Sequence, residues 1–482
     1  MEKADKKENL KEKSVLVYDY GIFTELAASL TKYFGRVYYY VPWQDAFPSS
    51  GKQKIGMDFK GLTRVQNFWD YVNEVDLIVS FDTYCGDLVD FLRGLGYRVW
   101  GAGTAERLEL KRWEMRQNQF SSGMNTQPSL LLKSIDDLEL YLQGAEERTK
   151  DMFGQTDDEV ANKLVDAVFE KYDGFNEGYF VGGKISKLRQ EFLTGAKDKF
   201  VKSNMRGDIE TFAAPNYNDS QSKLNSLFEK LGHRGDAQEV EFVIEDQLEG
   251  IEPGFDGIQI NGKYLSPTLW GFEKKGKGYI GRVTDYKDLP QFLKEVNAQM
   301  QPMFEGNSPT ASFFSTEVIV DKAGRPFLID PCVRNPAPIG SAIYSELYLN
   351  LGEILYYGAE GKVVEPKLYP ANFVAGVSFS SDWANEYELE VEVDPEISRW
   401  VKFRMAYSRN DKFYAVPGMD SILSVIGFGD TMEEAVKLVE ERMKGVSGYG
   451  LGAESKLRQI MAEIEEIEEE KPKNFLEKMT RA

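Results

Sequence analysis

Glu317 and Asp330 are the residues whose type and setting point most directly to chemistry. Glu317 interrupts an apolar run, Phe313-Phe314-Ser315-Thr316-Glu317-Val318-Ile319-Val320, and Asp330 ends another, Phe327-Leu328-Ile329-Asp330. Between them Asp321-Lys322-Ala323-Gly324-Arg325 reads as a glycine-containing turn that folds one strand back on the other. Strand alternation puts Glu317 on one face with Ser315 and Ile319, and a hairpin centred on Ala323 sets it about opposite Ile329 or Asp330. Two half-buried carboxylates that close repel each other unless a cation stands between them. Hard oxygen ligands from two strands suit magnesium carrying bound phosphates. On an arbitrary hairpin, two exposed carboxylates on a solvated face is the commoner reading. Here Asp330 leads straight into the irregular segment Pro331-Cys332-Val333-Arg334-Asn335-Pro336-Ala337-Pro338, which sets an arginine and an amide beside the carboxylate and favours a site.

The elements that must position these groups follow from the hydrophobic pattern. Ser14 to Tyr20, Arg36 to Val41, Asp76 to Ser80 and Arg98 to Trp100 are short apolar strands, with helices at Ile22 to Tyr33 and Asp87 to Leu95. Continuous apolar strands alternating with helices predict a small parallel α/β sheet, which meets ligands at the carboxyl ends of its strands. A helix from about Thr104 to Phe120 leads out of it and carries Lys111. From Lys199 the pattern turns antiparallel, through Lys199 to Lys202, Ile209 to Ala213, Glu239 to Glu245 and Phe255 to Ile260. Five segments result: a disordered tail at 1–13, the parallel α/β domain at 14–104, a body with antiparallel sheets at 105–345 holding an insertion at about 144–196, an α+β module at 346–445, and an acidic helical tail at 446–482. The insertion is expected to hold one helix near Asp158 to Tyr172, and the tail helix to be a surface or partner-packing element.

Composition narrows the functions. The 482 residues carry 58 Lys and Arg against 78 Asp and Glu, a net charge of −20, which repels nucleic acid and anionic membrane surfaces. No apolar run is long enough for a membrane span. Cys85 and Cys332 form neither a disulfide framework nor a zinc pattern, which fits a reducing cytoplasm. The single histidine, His233, excludes His-rich metal sites and lies in a polar stretch that reads as a surface loop. A polyanion binds such an acidic chain only where a few cations and a metal reverse the local field.

The stretch from Lys111 to Asn335 resembles the ATP-grasp superfamily of carboxylate–amine ligases, and within it the phosphoribosylamine–glycine ligases, with a likeness spread over about residues 14–440. The order of elements is similar, and Val425-Ile426-Gly427-Phe428-Gly429-Asp430-Thr431-Met432-Glu433-Glu434-Ala435 looks like the family's closing strand–turn–helix. The resemblance implies Lys111 and Lys202 as ATP-phosphate lysines and Glu245-Asp246-Gln247-Leu248 as the hinge that bonds the adenine edge. It also implies Glu252 as the ribose carboxylate, and Glu317 and Asp330, thirteen residues apart, as magnesium ligands. Read alone, Lys111 is equally a solvated helix lysine, and Glu245 to Glu252 an acidic loop.

Departures from the family bear on metal and substrate. Arg334 keeps the family's arginine and, with Lys202, is expected to act in catalysis, but Cys332 replaces an asparagine ligand: either Asn335 substitutes from a shifted position or the second metal site is weaker. Val17-Tyr18-Asp19-Tyr20-Gly21 has one glycine where the family has a glycine-rich sugar-phosphate loop, and Ser203-Asn204-Met205-Arg206-Gly207-Asp208 replaces another such loop. The turn Lys274-Lys275-Gly276-Lys277-Gly278 is either a phosphate grip or an exposed ribbon turn. The resemblance implies an ADP-forming ligase using ATP and magnesium, with manganese as an alternative, to join a small carboxylate and an amine through an acyl phosphate. Assembly into a homo-oligomer stays open. The competing readings are a phosphotransferase, an acid–thiol ligase, and a degenerate nucleotide-binding protein. A dinucleotide oxidoreductase lacks its G-x-G-x-x-G turn.

Overall fold

The structure, a computed structural model, describes residues 8–42, 51–204, 211–234, 240–304, 310–419 and 421–470 of the chain. It divides into two compact units: Met1–Glu106, Glu252–Val318 and Ile329–Ala482 form the first, and Arg107–Ile251 with Ile319–Leu328 the second.

The first unit opens on the expected parallel sheet. Its strands lie in the order Leu62–Val65, Arg36–Tyr40, Ser14–Tyr18, Leu77–Ser80, Val99–Trp100. The central strands are buried along their length, as two-sided coverage of apolar β-branched runs requires. The order reverses between Ser14–Tyr18 and Leu77–Ser80, so Asp19 and Asp82 follow the two strands that flank the switch point.

A larger antiparallel sheet carries the rest of this unit. The Ala311–Asp321 strand pairs with Pro326–Cys332 on one side and Pro253–Ile260 on the other, and the sheet continues through Thr268–Lys274, Gly278–Thr284, Phe373–Ser380, Ser421–Gly429 and Val401–Phe403. The α+β module is therefore not separate: Tyr279 pairs with Gly376, and the apolar strands Phe373–Ser380 and Ser421–Gly429 extend the sheet. Leu389–Val393 is the third strand of a small four-stranded sheet that also takes up Val446–Gly448.

Two further expectations are corrected. Residues 8–13 are not a frayed tail, because Leu10 is buried and Lys13 is ion-paired to Glu8 and Asp76. The Leu457–Glu470 helix is not a surface element, because Leu457 and Ile460 are buried in the main core. Residues 1–7 lie outside the described residues.

The second unit is built on the antiparallel order Phe180–Val181, Ser129–Leu132, Phe242–Asp246, Lys199–Ser203, Thr211–Ala214. The stretch at 144–196 is part of this unit's core and holds three helices, Ala145–Phe153, Asp158–Lys171 and Ile185–Thr194, as well as a sheet strand. Its weak periodicity came from short helices that share one apolar pocket. His233 falls in the last turn of the Tyr217–Arg234 helix instead of a loop.

Candidate active site

In the first unit the Ala311–Asp321 strand brings Glu317 to a face it shares with three glycines. Glu317 pairs with Gly254, Gly254 with Gly271, and Gly271 with Gly281. Glycine inside a strand marks a close approach. At Gly281 a Cβ would meet the Tyr279 hydroxyl at 2.6 Å, and at Gly271 it would meet the Ile280 carbonyl at 2.2 Å. Tyr279 in turn donates to Asp256 Oδ2 at 2.7 Å. The hairpin turn is fixed by Asp321, whose Oδ1 accepts from the backbone of Ala323 and Arg325, each at 2.9 Å.

Charge around Glu317 is unbalanced. Burial raises its pKa, Asp330 raises it further, Lys275 pulls it back, and Glu273 and Glu252 push upward again. Lys275 feels the converse: its pKa is raised foremost by Glu317, against the cost of burial, and then by Asp330 and Glu273. The glycine-rich ribbon turn thus turns Lys275 toward the carboxylate pair. Its neighbours point elsewhere, Lys274 to Glu463 at 2.8 Å and Lys277 to Glu454 at 2.7 Å. Glu252 lies within electrostatic reach of Glu317 and is exposed.

Glu317, held above its ordinary pKa by burial and then by Asp330, fits a divalent cation, which relieves the repulsion. Among the described residues no group of three His, Cys, Asp or Glu gathers as a metal cluster, so further oxygens must come from elsewhere. Asn335 is fully buried, and both its Oδ1 and its Nδ2 lack a protein partner. Its backbone N–H donates to Phe81 O at 3.0 Å, which ties it to the end of the Leu77–Ser80 strand. Arg334 lies nearby in the same sense, its Nη1 3.9 Å from Asp82 Oδ1. Asp19, the other carboxylate at the switch point, has its pKa raised to about 6, by burial and despite the Tyr39 hydroxyl and the Phe23 N–H. Cys332 is in no disulfide.

In the second unit a different cluster forms on the sheet. Lys202 and Glu245, on the paired strands Lys199–Ser203 and Phe242–Asp246, are both buried, with Nζ 3.4 Å from Glu245 Oε2. Arg116 donates to Glu245 Oε1, and its Nη1 donates to Gln119 Oε1 at 2.8 Å. Arg112 donates to Ser203 O at 2.8 Å. Asp246 faces the other side of the sheet, paired with Lys199 and, at 3.0 Å, with Lys187. In the same hinge the Gln247 N–H donates to Asp198 O at 2.8 Å, and Leu248 is half-buried. Lys111 is exposed at a break between the helices Arg107–Leu110 and Arg112–Ser121. The structure thus joins Lys202 to Glu245 but shows no contact from Lys111 to either. Arg206 lies outside the described residues.

Sequence reasoning passed over Lys275's partner charges, the glycine lane, Arg112 and Arg116. The glycines had a signal, since Gly254, Gly271 and Gly281 each interrupt an apolar strand. The arginines had little, being charged residues on a helix of mixed pattern.

No family model matches the chain, and no curated protein matches it in sequence. Solved structures do match in shape. A phosphoribosylamine–glycine ligase from Thermotoga maritima aligns with a TM-score of 0.58 at 14% identity, over 91% of this chain and 98% of its own. This fold is the ATP-grasp fold. A biotin carboxylase domain of 2-oxoglutarate carboxylase from Hydrogenobacter thermophilus, solved with MgADP and bicarbonate, aligns at 0.55 with 10% identity over 96% of this chain and 98% of its own. An L-amino acid ligase from Bacillus licheniformis aligns at 0.52 with 13% identity over 91% and 98%. The expected α/β and α+β ATP-grasp architecture is thus present, and no described helix is long and apolar enough to cross a membrane.

Proposed function

We propose that this chain is an ATP- and magnesium-dependent carboxylate–amine ligase that works through an acyl phosphate and releases ADP. The observation that carries the reading is Glu317, held above its ordinary pKa by burial and by Asp330 and faced by Lys275, on a fold shared with ligases. Glu317 and Asp330 would hold magnesium, with Asn335 as a further oxygen ligand; manganese, with the same hard-oxygen preference, is the alternative. When bound, the metal neutralises phosphate charge and fixes the phosphate oxygens for in-line transfer.

The chain's own residues do the rest. Lys275 offsets the negative charge that develops on the phosphates in transfer, the resemblance gives Lys202 and Lys111 the same task, and Arg334 attracts the substrate carboxylate. Arg116 and Lys202 share Glu245, Arg116 donating to Oε1 and Lys202 Nζ lying 3.4 Å from Oε2. Glu245 to Leu248 and Glu252 receive the adenosine part. The glycines beside Glu317 keep the sheet face open to a flat or extended ligand. The substrate carboxylate attacks the γ-phosphate, ADP leaves, and the amine displaces phosphate from the acyl phosphate, with no protein nucleophile required. The chain acts on small molecules, in the cytoplasm, without nucleic acid.

The test is incubation with ATP, magnesium and pools of carboxylates and amines, reading ADP, AMP and new masses. ADP with a new amide supports the ligase. AMP overturns the acyl-phosphate route, and saturable ATP binding without turnover under every pair overturns the enzyme.

A further inference from the structure

A second feature of the first unit is unconnected with Glu317. Trp383, Tyr387 and Tyr449 are 41%, 50% and 72% exposed, unusually open for large aromatic side chains. They are nonetheless fixed in place. Trp383 stacks on Tyr387 with centroids 4.3 Å apart and meets Tyr449 edge-on at 5.1 Å. The indole N–H donates to Glu388 O at 3.4 Å, and Ser381 Oγ donates to Tyr449 O at 3.2 Å.

Trp383, backed by Tyr387, and Tyr449 border a trough of about 420 Å³ whose other walls include Glu388, Glu390, Glu392 and Ser447. The three glutamates follow from the strand that carries them. In Leu389–Val393 the apolar residues Leu389 and Val391 are buried, so Glu390 and Glu392 stand outward, two residues apart. That repeat is about 6.6 Å, the same as between alternate side chains of any extended peptide. Two of the carboxylates already hold cations: Glu388 takes Lys54 at 2.5 Å, and Glu390 takes Lys412. Both lysines are about half exposed, and solvent-screened pairs of this kind are weak, so an incoming cation can replace them. Glu392 lies across the sheet from Ser447.

We propose that this trough docks an extended polypeptide segment with arginine or lysine at alternate positions. Charge complementarity selects a basic partner, since the segment 382–394 carries Asp382, Glu386, Glu388, Glu390, Glu392 and Asp394 and no lysine or arginine. The aromatic rings select a cation with a flat or apolar body, because a guanidinium stacks on indole while its N–H fork reaches a carboxylate. The strand-spaced glutamates select an extended chain over a compact ligand.

The probe is the pentapeptide acetyl-Arg-Ser-Arg-Ser-Arg-amide, titrated into the full chain by calorimetry. The expected result is saturable one-to-one binding that weakens with salt. It weakens at least tenfold in Trp383→Ala, whose charge is unchanged, and at least threefold in Tyr449→Ser and in Glu392→Gln. Glu295→Gln, on the Gln291–Met300 helix, is expected to leave it within twofold. Equal binding of the peptide with citrulline in place of arginine overturns the proposal, as does unchanged affinity in Trp383→Ala and Tyr449→Ser together. Displacement of the peptide by an equal concentration of choline makes this a small-cation site instead. A dimer in sedimentation that Trp383→Ala abolishes makes the occupant a second copy. Either of these outcomes also overturns the proposal.

Discussion

Two carboxylate centres of the first unit treat negative charge in opposite ways. Glu346, on the Ile339–Leu347 helix, is almost completely buried and accepts from Lys32 at 2.6 Å, Lys402 at 2.8 Å and Arg399 at 2.9 Å. Burial alone would raise its pKa, but Lys402 and Lys32 hold it down to about 2. Glu317 is pushed the other way, with Asp330, Glu273 and Glu252 around it and Lys275 the cation among its principal neighbours. The first centre supplies its own counter-charges and is finished on folding. Among the principal neighbours of the second, negative charge outweighs positive, as suits the cation we propose for it. The cost of that imbalance falls on stability, and its return is binding.

The comparison predicts that the two centres fail differently. Glu317→Gln or Asp330→Asn is expected to lower ADP formation at least about a thousandfold, near 4 kcal/mol of barrier, since a metal's charge stabilisation is worth several kcal/mol. The same variants keep or raise the thermal midpoint, because they relieve repulsion. Wild-type turnover in either variant removes the metal assignment. Glu346→Gln is expected to do the reverse: stability falls by about 3–5 kcal/mol, since three cations lose their shared anion. Activity per folded molecule holds, and denaturant titration alongside turnover separates the two.

Acid sharpens the contrast. Glu346 has a folded pKa of about 2 against an ordinary 4.5, so its stabilisation is fully present above pH 4.5 and is lost as pH falls toward 2. The loss amounts to about 3 kcal/mol. Glu317 has a raised pKa, so without metal it costs stability at neutral pH and that cost shrinks as pH falls toward 4.5. Unfolding free energy of Glu346→Gln measured from pH 6 to 2.5 should therefore lack the steep acid loss of the wild type. An identical slope in both proteins would mean that other groups carry it.

How much of this was legible in the residues depends on how local each signal was. The parallel sheet was legible because Ser14 to Tyr18 and Leu77 to Ser80 are uninterrupted apolar runs. Glu317 stood out because a single carboxylate broke such a run. The strand Leu62–Val65 was missed because Thr63 and Arg64 dilute it to four mixed residues. The Glu346 centre was invisible, since its cations come from positions 32, 399 and 402 and only the fold assembles them. Arg116 likewise reaches Glu245 across 129 residues. The tail helix was misplaced because its run of glutamates reads as a solvated face, whereas the burial of Leu457 and Ile460 depends on the groove beside Gly278. Chemistry written on one strand can be read from one strand, whereas charge balance belongs to the folded chain.

The smallest effect tests the imbalance most directly. Lys275 lowers the pKa of Glu317 and at the same time repels an entering cation. In Lys275→Met both actions disappear, and they have opposite consequences. Glu317 then holds its proton to higher pH, so the acid limb of magnesium binding moves up. Well above that limb, where Glu317 is ionised in both proteins, the loss of repulsion makes magnesium bind more tightly. Magnesium-induced stabilisation, read as the shift in thermal midpoint at a series of pH values, should therefore cross between wild type and variant: weaker in the variant on the acid limb, stronger well above it. Parallel curves would mean that Lys275 does not face the pair, and a difference of constant sign would mean that it acts on only one of the two equilibria.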